Sequence, residues 1–349
     1  MNLLQQTIEK IENLDQETMI KARERVDNLI KPPKSLGRLE DLAVQLAGIT
    51  KTVKPVVDNK AIIVMAADHG VYEEGVAPNP QAITAIQTLN FPKGTTGVCA
   101  LSRMSGAKIV TVDIGIKEDI PNDAGVIIRK IKYGTDNMAK GPAMTREEAI
   151  KALEVGIEIA NEEIKKGVNL LGTGEMGIGN TTASTAILAV LGNYPPEDIT
   201  GRGAGLSSEG IQHKAKVIEK AIHLNNPNPT DGIDVLAKVG GLEIGGMAGV
   251  MLGAAANRVP VVVDGYIATA AALIAATIEP KAKEYFIASH ASAEIGGKKA
   301  SELLGIKPIL YMDMCLGEGS GAALTFPIVE AACDMMKYMI TFQEASMTI

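Results

Sequence analysis

The chain has 349 residues, and its 46% hydrophobic and 21% charged content is that of a folded globular protein, not a disordered one. At roughly 150 residues per domain, this length accommodates two domains, or one large α/β domain with an appendage. A net charge of −7 and only 3% aromatic residues exclude a single-stranded nucleic-acid reader, which stacks bases on aromatic side chains in a basic groove. In chain order, Met1 to Gln6 lead into an acidic amphipathic stretch that lacks the basic and long apolar regions of a signal peptide, so the mature protein is expected to start here. Asp15 is placed to cap a helix running to about Ile30, stopped by Pro32 and Pro33. Ser35 is placed to cap a second helix, in which Leu36, Leu39, Ala43, Leu46 and Ile49 recur at helical spacing.

From Ala61 the pattern changes to short apolar runs, each ending in a polar, Gly-containing turn and followed by a helical stretch. The runs are 61–66, 108–112, 168–171, 259–263, 285–288 and 308–312, with 125–131 as a more alternating candidate edge strand. Strands apolar on both faces and separated by helices predict a parallel sheet covered on both sides: a doubly wound α/β domain with a smaller helical domain. The expected division is a helical segment over 1–58, an α/β domain over 59–321, and a C-terminal helix over 322–349 that returns to the small domain. The most apolar region, 245–278, is broken by Asn257, Arg258, Pro260 and Asp264. No run reaches the roughly 18 residues of a membrane span, and this region is expected to be buried core. Cys99, Cys315 and Cys333 form no C-x-x-C pattern, which suits a reducing cytoplasm and neither a disulfide framework nor a zinc knuckle.

The unusual residues gather at the strand ends: Asp68-His69-Gly70, Asp113-Ile114-Gly115, the turn 172–177, Asp264-Gly265-Tyr266, Ser289-His290-Ala291-Ser292 and the turn 316–321. In an open α/β sheet such turns converge on one crevice, although each alone also reads as an ordinary turn or cap. Gly172-x-Gly174-x-x-Gly177 follows a strand and precedes a helix starting near Asn180, where backbone N–H groups can approach a phosphate. Glu175 lies inside that loop, and no acidic residue ends the next strand about 20 positions on. A mononucleotide site is therefore preferred to NAD binding. Gly201 to Gly205, followed by a helix bearing Lys214, reads either as a second phosphate contact or as a flexible loop beside a solvated lysine.

Glu318, between Gly317 and Gly319 and ahead of an apolar helix, stands out as a carboxylate suited to proton transfer in a crevice. The alternative is a glycine turn in which Ser320 caps the helix and Glu318 complements its dipole. Asp68, His69, Asp113, Asp264, His290 and Asp313 could ligate a divalent ion, but no H-x-x-x-H or H-E-x-x-H spacing occurs and no metal site is expected.

Several segments together resemble one family. They are the stretch 31–40 (KPPKSLGRLE), Ala67-Asp68-His69-Gly70-Val71, Thr84-Ala85-Ile86-Gln87, Gly94-Thr95-Thr96-Gly97-Val98, 174–182 (GEMGIGNTT), 226–234 (NPNPTDGID) and 316–323 (LGEGSGAA). Spanning about Lys31 to Cys333, they are similar to nicotinate-nucleotide–dimethylbenzimidazole phosphoribosyltransferases of cobalamin nucleotide-loop assembly. The resemblance implies a Rossmann-like domain with a small helical domain built from both termini, a homodimer, no cofactor, and small-molecule substrates only. It further implies transfer of the phosphoribosyl group of nicotinate mononucleotide to 5,6-dimethylbenzimidazole. Glu318 matches the catalytic glutamate and Glu175 a second pocket carboxylate. Gln87, Asn79 and Leu316 fall where the family lines the base pocket, Asn79 replacing a serine of some members. Gly177, Asn180, Gly203, Lys214, Asp264, Ser289 and Ser292 fall where it holds ribose and phosphate. A NAD-dependent dehydrogenase and a non-catalytic nucleotide-binding protein stand as the alternative readings.

Overall fold

The computed structural model describes residues 2–346; Met1 and 347–349, the outermost residues of the two expected terminal segments, lie outside the described residues. After α1 (Leu3–Glu9) comes α2 (Gln16–Asn28), whose N-cap Asp15 accepts a bond from the Thr18 amide at 2.8 Å, as its sequence predicts. The next helix, α3 (Arg38–Thr50), starts later than a Ser35 cap would place it: Gly37, at φ 52°, is the N-cap and offers no side chain. No side chain caps this helix at Gly37. Glu40, in its first turn, reaches back to accept from the Leu36 amide at 3.1 Å and pairs with Lys31, whose side chain is buried, at 2.8 Å, tying the preceding turn to the helix start.

The sheet begins at β1 (Lys60–Ala67), followed by α4 (Ile83–Thr88), α5 (Gly97–Ser105), β2 (Lys108–Gly115), the short edge strand β3 (Ile127–Ile128) and α6 (Arg146–Lys165). Then β4 (Leu170–Met176) leads into α7 (Asn180–Gly192), α8 (Pro196–Ile199), α9 (Ser208–Asn225), α10 (Gly232–Val239) and α11 (Leu242–Ala256). Last come β5 (Val261–Val263), α12 (Tyr266–Ile278), β6 (Phe286–Ala288), α13 (Ile295–Leu304) and α14 (Ser320–Tyr338). Every strand pairing is parallel, in the order β3-β2-β1-β4-β5-β6. The run 308–312 is not the expected strand and meets the end of β6 through one bridge, His290 to Leu310. Pro308 has no amide for a ladder, and Tyr311 and Met312 point to solvent, so this run lacks the two covered faces of the others.

Burial follows the strand period. Ile63 and Met65 of β1 face a core shared with residues of α6, α7, α11 and α12, whereas Ile62 and Val64 face one shared with residues of α2, α3 and α14. Leu4, Ile11 and Leu14 join the first core, so α1 packs on the α6 and α11 side. The C-terminal segment meets α2: Leu29 bridges Thr341, and Arg25 donates to the carbonyls of Met336 and Met339. As expected for core, α11, β5 and most of α12 are buried, and among the described residues no helix is long and apolar enough to cross a membrane. The chain leaves β1 toward β2 and β3 on one side and resumes at β4 on the other. The strand order thus reverses between β1 and β4, where a crevice opens beyond the carboxyl ends.

Candidate active site

A cavity of about 290 Å³ occupies that crevice, walled by the turns after β4, β5 and β6 and by the 315–318 segment. The N-terminus of α7 lines it. Gly177 is required there by close approach, because a Cβ would stand 2.5 Å from the Ala67 carbonyl oxygen. Lys214 reaches across from α9 and donates to Thr181 Oγ1 at 2.7 Å, and Gly203 lies beside its ammonium. The two glycine-rich segments therefore meet, and Lys214 is not the solvated lysine of the alternative reading. Burial pushes Lys214 down to about 8, with the charge of Glu294 pulling weakly the other way. A bound anion beside the start of α7 would supply the counter-charge that this lysine lacks.

Glu318 lines the same cavity. Together with Gly317 and Gly319 it has positive φ (81°, 62° and 94° in order), a left-handed run that costs a non-glycine residue roughly 1 kcal/mol or more. The turn aims its buried carboxylate at two donors: Gln87 Nε2 to Oε1 at 2.6 Å, and the Val98 amide to Oε2 at 3.1 Å. Val98 lies in the first turn of α5, whose N-cap Thr96 makes no side-chain cap, so Glu318 satisfies an amide the helix leaves free. Leu316 is exposed and lines the cavity mouth beside it.

Glu175 and Asp264 also line the cavity. Asn180 Nδ2 donates to Glu175 Oε2 through a short bond. Burial, reinforced by the charges of Asp264 and Glu243, nevertheless pushes Glu175 up to about 8. Asp264 accepts from the amides of Gly319 (2.9 Å), Gly321 (2.7 Å) and Ala322 (3.2 Å) and so caps α14 from the end of β5. This corrects the reading of Ser320 as the cap: its hydroxyl is buried without a partner among the described residues. Despite those three donors, burial lifts Asp264 to about 7.

Of the residues expected from the sequence, Gln87, Glu175, Gly177, Asn180, Gly203, Asp264, Ser292, Leu316 and Glu318 line the cavity, and Lys214 reaches it through Thr181. Asn79 and Ser289 do not line it. Asn79 sits in the loop whose Val76 and Ala77 do, and Ser289 is buried behind the wall, donating to the Asp264 carbonyl at 2.9 Å. Several metal-type residues have local duties. Asp68 accepts from the Lys117 amide at 2.8 Å, and Asp113 from those of Gly115 and Ile116 at 3.1 and 2.9 Å. His69 Nε2 is 2.7 Å from Glu243 Oε1. Burial works against a charged His69 ring, but Glu243 outweighs it and raises the pKa. Among the described residues no group of three or more His, Cys, Asp or Glu side chains is placed to hold a metal. Glu243 and Val98 escape sequence reasoning; the one signal for Glu243 is an acid opening an otherwise apolar helix after Gly240-Gly241.

A parallel α/β sheet with an anion-ready helix N-terminus and a positioned carboxylate defines a nucleotide-handling enzyme class, and the comparisons agree. A family model described as phosphoribosyltransferase matches residues 11–347. The nicotinate-nucleotide–dimethylbenzimidazole phosphoribosyltransferase of Alkaliphilus metalliredigens (strain QYMF) is 78% identical over 349 residues, covering 100% of both chains. The protein of that name from Clostridioides difficile (strain 630) is 55% identical, covering 99% of each. A crystal structure of the Thermus thermophilus protein of that name superposes with a TM-score of 0.91 at 39% identity, over 96% of this chain and 100% of that one. The chain belongs to the nicotinate-nucleotide–dimethylbenzimidazole phosphoribosyltransferase family and is an enzyme of phosphoribosyl transfer. The dehydrogenase and the non-catalytic readings give way to it.

Proposed function

We propose that this enzyme moves the 5-phosphoribosyl group of nicotinate mononucleotide to 5,6-dimethylbenzimidazole, giving α-ribazole 5′-phosphate and nicotinate with inversion at C1′. One nitrogen of the benzimidazole attacks C1′ on the face opposite nicotinate. As that bond forms, the C1′–N bond of the pyridinium breaks and its electron pair returns to the nicotinate ring, which leaves without needing an acid. The attacking ring becomes cationic and gives up its other N–H proton, for which one base suffices. The reaction balances without a cofactor. The observation that carries this reading is Glu318, held by Gln87 and Val98 in a cavity that the start of α7 also lines and that Lys214 reaches through Thr181.

In this reading Glu318 is the base, and Gln87, Leu316 and Asn79 border the benzimidazole. Gly177, Asn180, Gly203 and Lys214 hold the phosphate side, while Asp264, Ser289 and Ser292 hold the ribose side. Glu175, protonated at neutral pH because of its burial, orients substrate as a neutral donor and does not serve as a counter-charge. We also propose a cytoplasmic location and a homodimer, the latter supported by the exposed apolar residues Ile86, Tyr311, Met312 and Leu316. The terminal segments 1–58 and 322–349 are proposed as the small domain around the 59–321 body, with α1 resting on that body. The test is to incubate the full chain with nicotinate mononucleotide and a panel of bases, then identify products by mass spectrometry and anomeric configuration by NMR. Free nicotinate is expected only when nucleotide and benzimidazole are both present; its release without a base, or a β-configured product, overturns the reading.

A further inference from the structure

Thr96 stands at the start of α5, inside the segment 94–98 that the sequence singles out and the proposed reaction leaves unused. Of the Ser and Thr residues at helix N-caps among the described residues, it alone makes no cap bond. Thr145 and Ser207 hold the same position ahead of α6 and α9, and their hydroxyls accept from the amides of Glu148 and Gly210 at 3.1 and 3.2 Å. Thr96 has the backbone of such a cap, φ −94° and ψ 172°, and its carbonyl accepts the first helical bond from the Ala100 amide at 3.1 Å. Yet its hydroxyl is buried without a partner among the described residues, and the residue is only 4% exposed. A buried hydroxyl left unpaired costs stability, so its place here asks for a state in which it is paired.

What takes its place at rest is the proposed base. The Val98 amide, second in the helix and within the ordinary reach of an N-cap oxygen, donates instead to Glu318 Oε2 at 3.1 Å. That approach is open because residue 97 is glycine: a Cβ there would lie 3.1 Å from the same oxygen. Two acceptors thus compete for one amide, and the charged one holds it, because a carboxylate accepts a stronger bond than a hydroxyl does. Proton transfer removes that advantage. In the proposed reaction the N–H bond of the attacking ring breaks and its proton goes to Glu318, whose carboxyl group becomes neutral. Rotation about the Cα–Cβ bond of Thr96 then suffices to bring its oxygen to the Val98 amide, since the backbone already has the cap conformation.

We propose that Thr96 is a positioning residue for the transfer reaction: its hydroxyl takes over the Val98 amide as Glu318 takes up the proton, so that the amide keeps a partner in both states of the carboxyl group. This rests on the reading of Glu318 as the base. Thr96 is not part of the cavity wall, and it acts on Glu318 through Val98.

The experiment uses the full chain with nicotinate mononucleotide and 5,6-dimethylbenzimidazole, following nicotinate release in a single turnover. Native protein and Glu318→Gln are compared first; no product from the native protein, or a near-native rate for Glu318→Gln, overturns the reading of the base and this inference with it. With the base established, Thr96→Val removes the hydroxyl at nearly constant shape. Its rate should fall about tenfold while its Tm holds or rises, because in the resting protein that hydroxyl has no partner to lose. Thr96→Ser restores a hydroxyl and should bring the rate to within about threefold of native. In the Glu318→Gln background, where Glu318 takes up no proton, adding Thr96→Val should change the residual rate less than about twofold. A native rate in Thr96→Val, a Tm loss in that variant, no recovery with serine, or the same tenfold loss in both backgrounds overturns the inference and leaves the base assignment standing. The Tm loss and the equal losses are what a merely structural threonine would give.

Discussion

The Val98 amide donates to Glu318 Oε2 at 3.1 Å, joining the first turn of α5 to the turn before α14 across most of the chain. With Gln87 on the other oxygen, it leaves the carboxyl group one way to face the cavity. Replacing Glu318 with Gln keeps the shape but removes the base and sets an amide against these donors. A kcat loss of about 10²- to 10⁴-fold is expected, with nucleotide affinity within a few-fold of native. Single-turnover release of nicotinate together with equilibrium binding checks both halves; near-normal turnover would remove Glu318 from the chemistry.

Gly97 tests the same contact from the helix side. A Cβ there would lie 2.6 Å from Leu316 Cδ2 and 3.1 Å from Glu318 Oε2. Gly97→Ala should displace the carboxylate and lower kcat about tenfold or more, leaving KM for the nucleotide near native because the phosphate end is untouched. A variant whose KM rises while kcat holds would contradict this division of the cavity.

Lys214, held near 8 by burial, is about half protonated at pH 8, and a phosphate beside it would restore its charge. Nucleotide binding at pH 8 should therefore take up about half a proton, an uptake absent from Lys214→Ala. Calorimetry in buffers of differing ionisation enthalpy measures it. The same variant should raise KM for the nucleotide more than it lowers kcat, and an unchanged KM would place Lys214 outside the phosphate site.

Glu175 makes a pH prediction with a definite sign. Its pKa is about 8 in the fold against an ordinary 4.5, so between these values the folded state holds a proton that the unfolded chain has lost. Stability from this group is complete below 4.5 and is lost as pH rises through about 8. Asp264 acts in the same direction between 3.8 and about 7. Glu175→Gln imitates the protonated form. It should retain activity near pH 7, and its Tm should fall less than that of the native protein between pH 5 and 8. A native Tm falling no more steeply than that of the variant would show Glu175 to be ionised throughout.

Much of this architecture was legible from local pattern. Apolar runs such as 61–66 are buried on both faces because neighbours on both sides of a parallel sheet must cover them, and that requirement is written into each run. Asp15 could be read as a cap because its partner, the Thr18 amide, lies within the same turn. The turns carrying Glu175 and Asp264 were recognisable because parallel strands deliver their ends to one edge, and Glu318 because it stands between two glycines ahead of an apolar helix.

What the sequence by itself determined is thus the sheet, its covering helices, the family and the set of turns that meet. Only the tertiary structure decided how those residues act, because the deciding partners are remote in the chain. Gly37 and not Ser35 begins α3, with Glu40 reaching back to the Leu36 amide; Asp264 and not Ser320 caps α14; and Glu243 holds His69. Glycine also serves helix packing where no local signal marks it: a Cβ on Gly156 of α6 would collide with the Gly246 carbonyl oxygen of α11. Protonation is the clearest case. Glu175 and Glu318 have the same side chain beside a glycine, yet burial among other carboxylates lifts one to about 8 while a helix amide and a glutamine orient the other. Desolvation and through-space charge depend on what the fold brings near, and sequence adjacency does not report that.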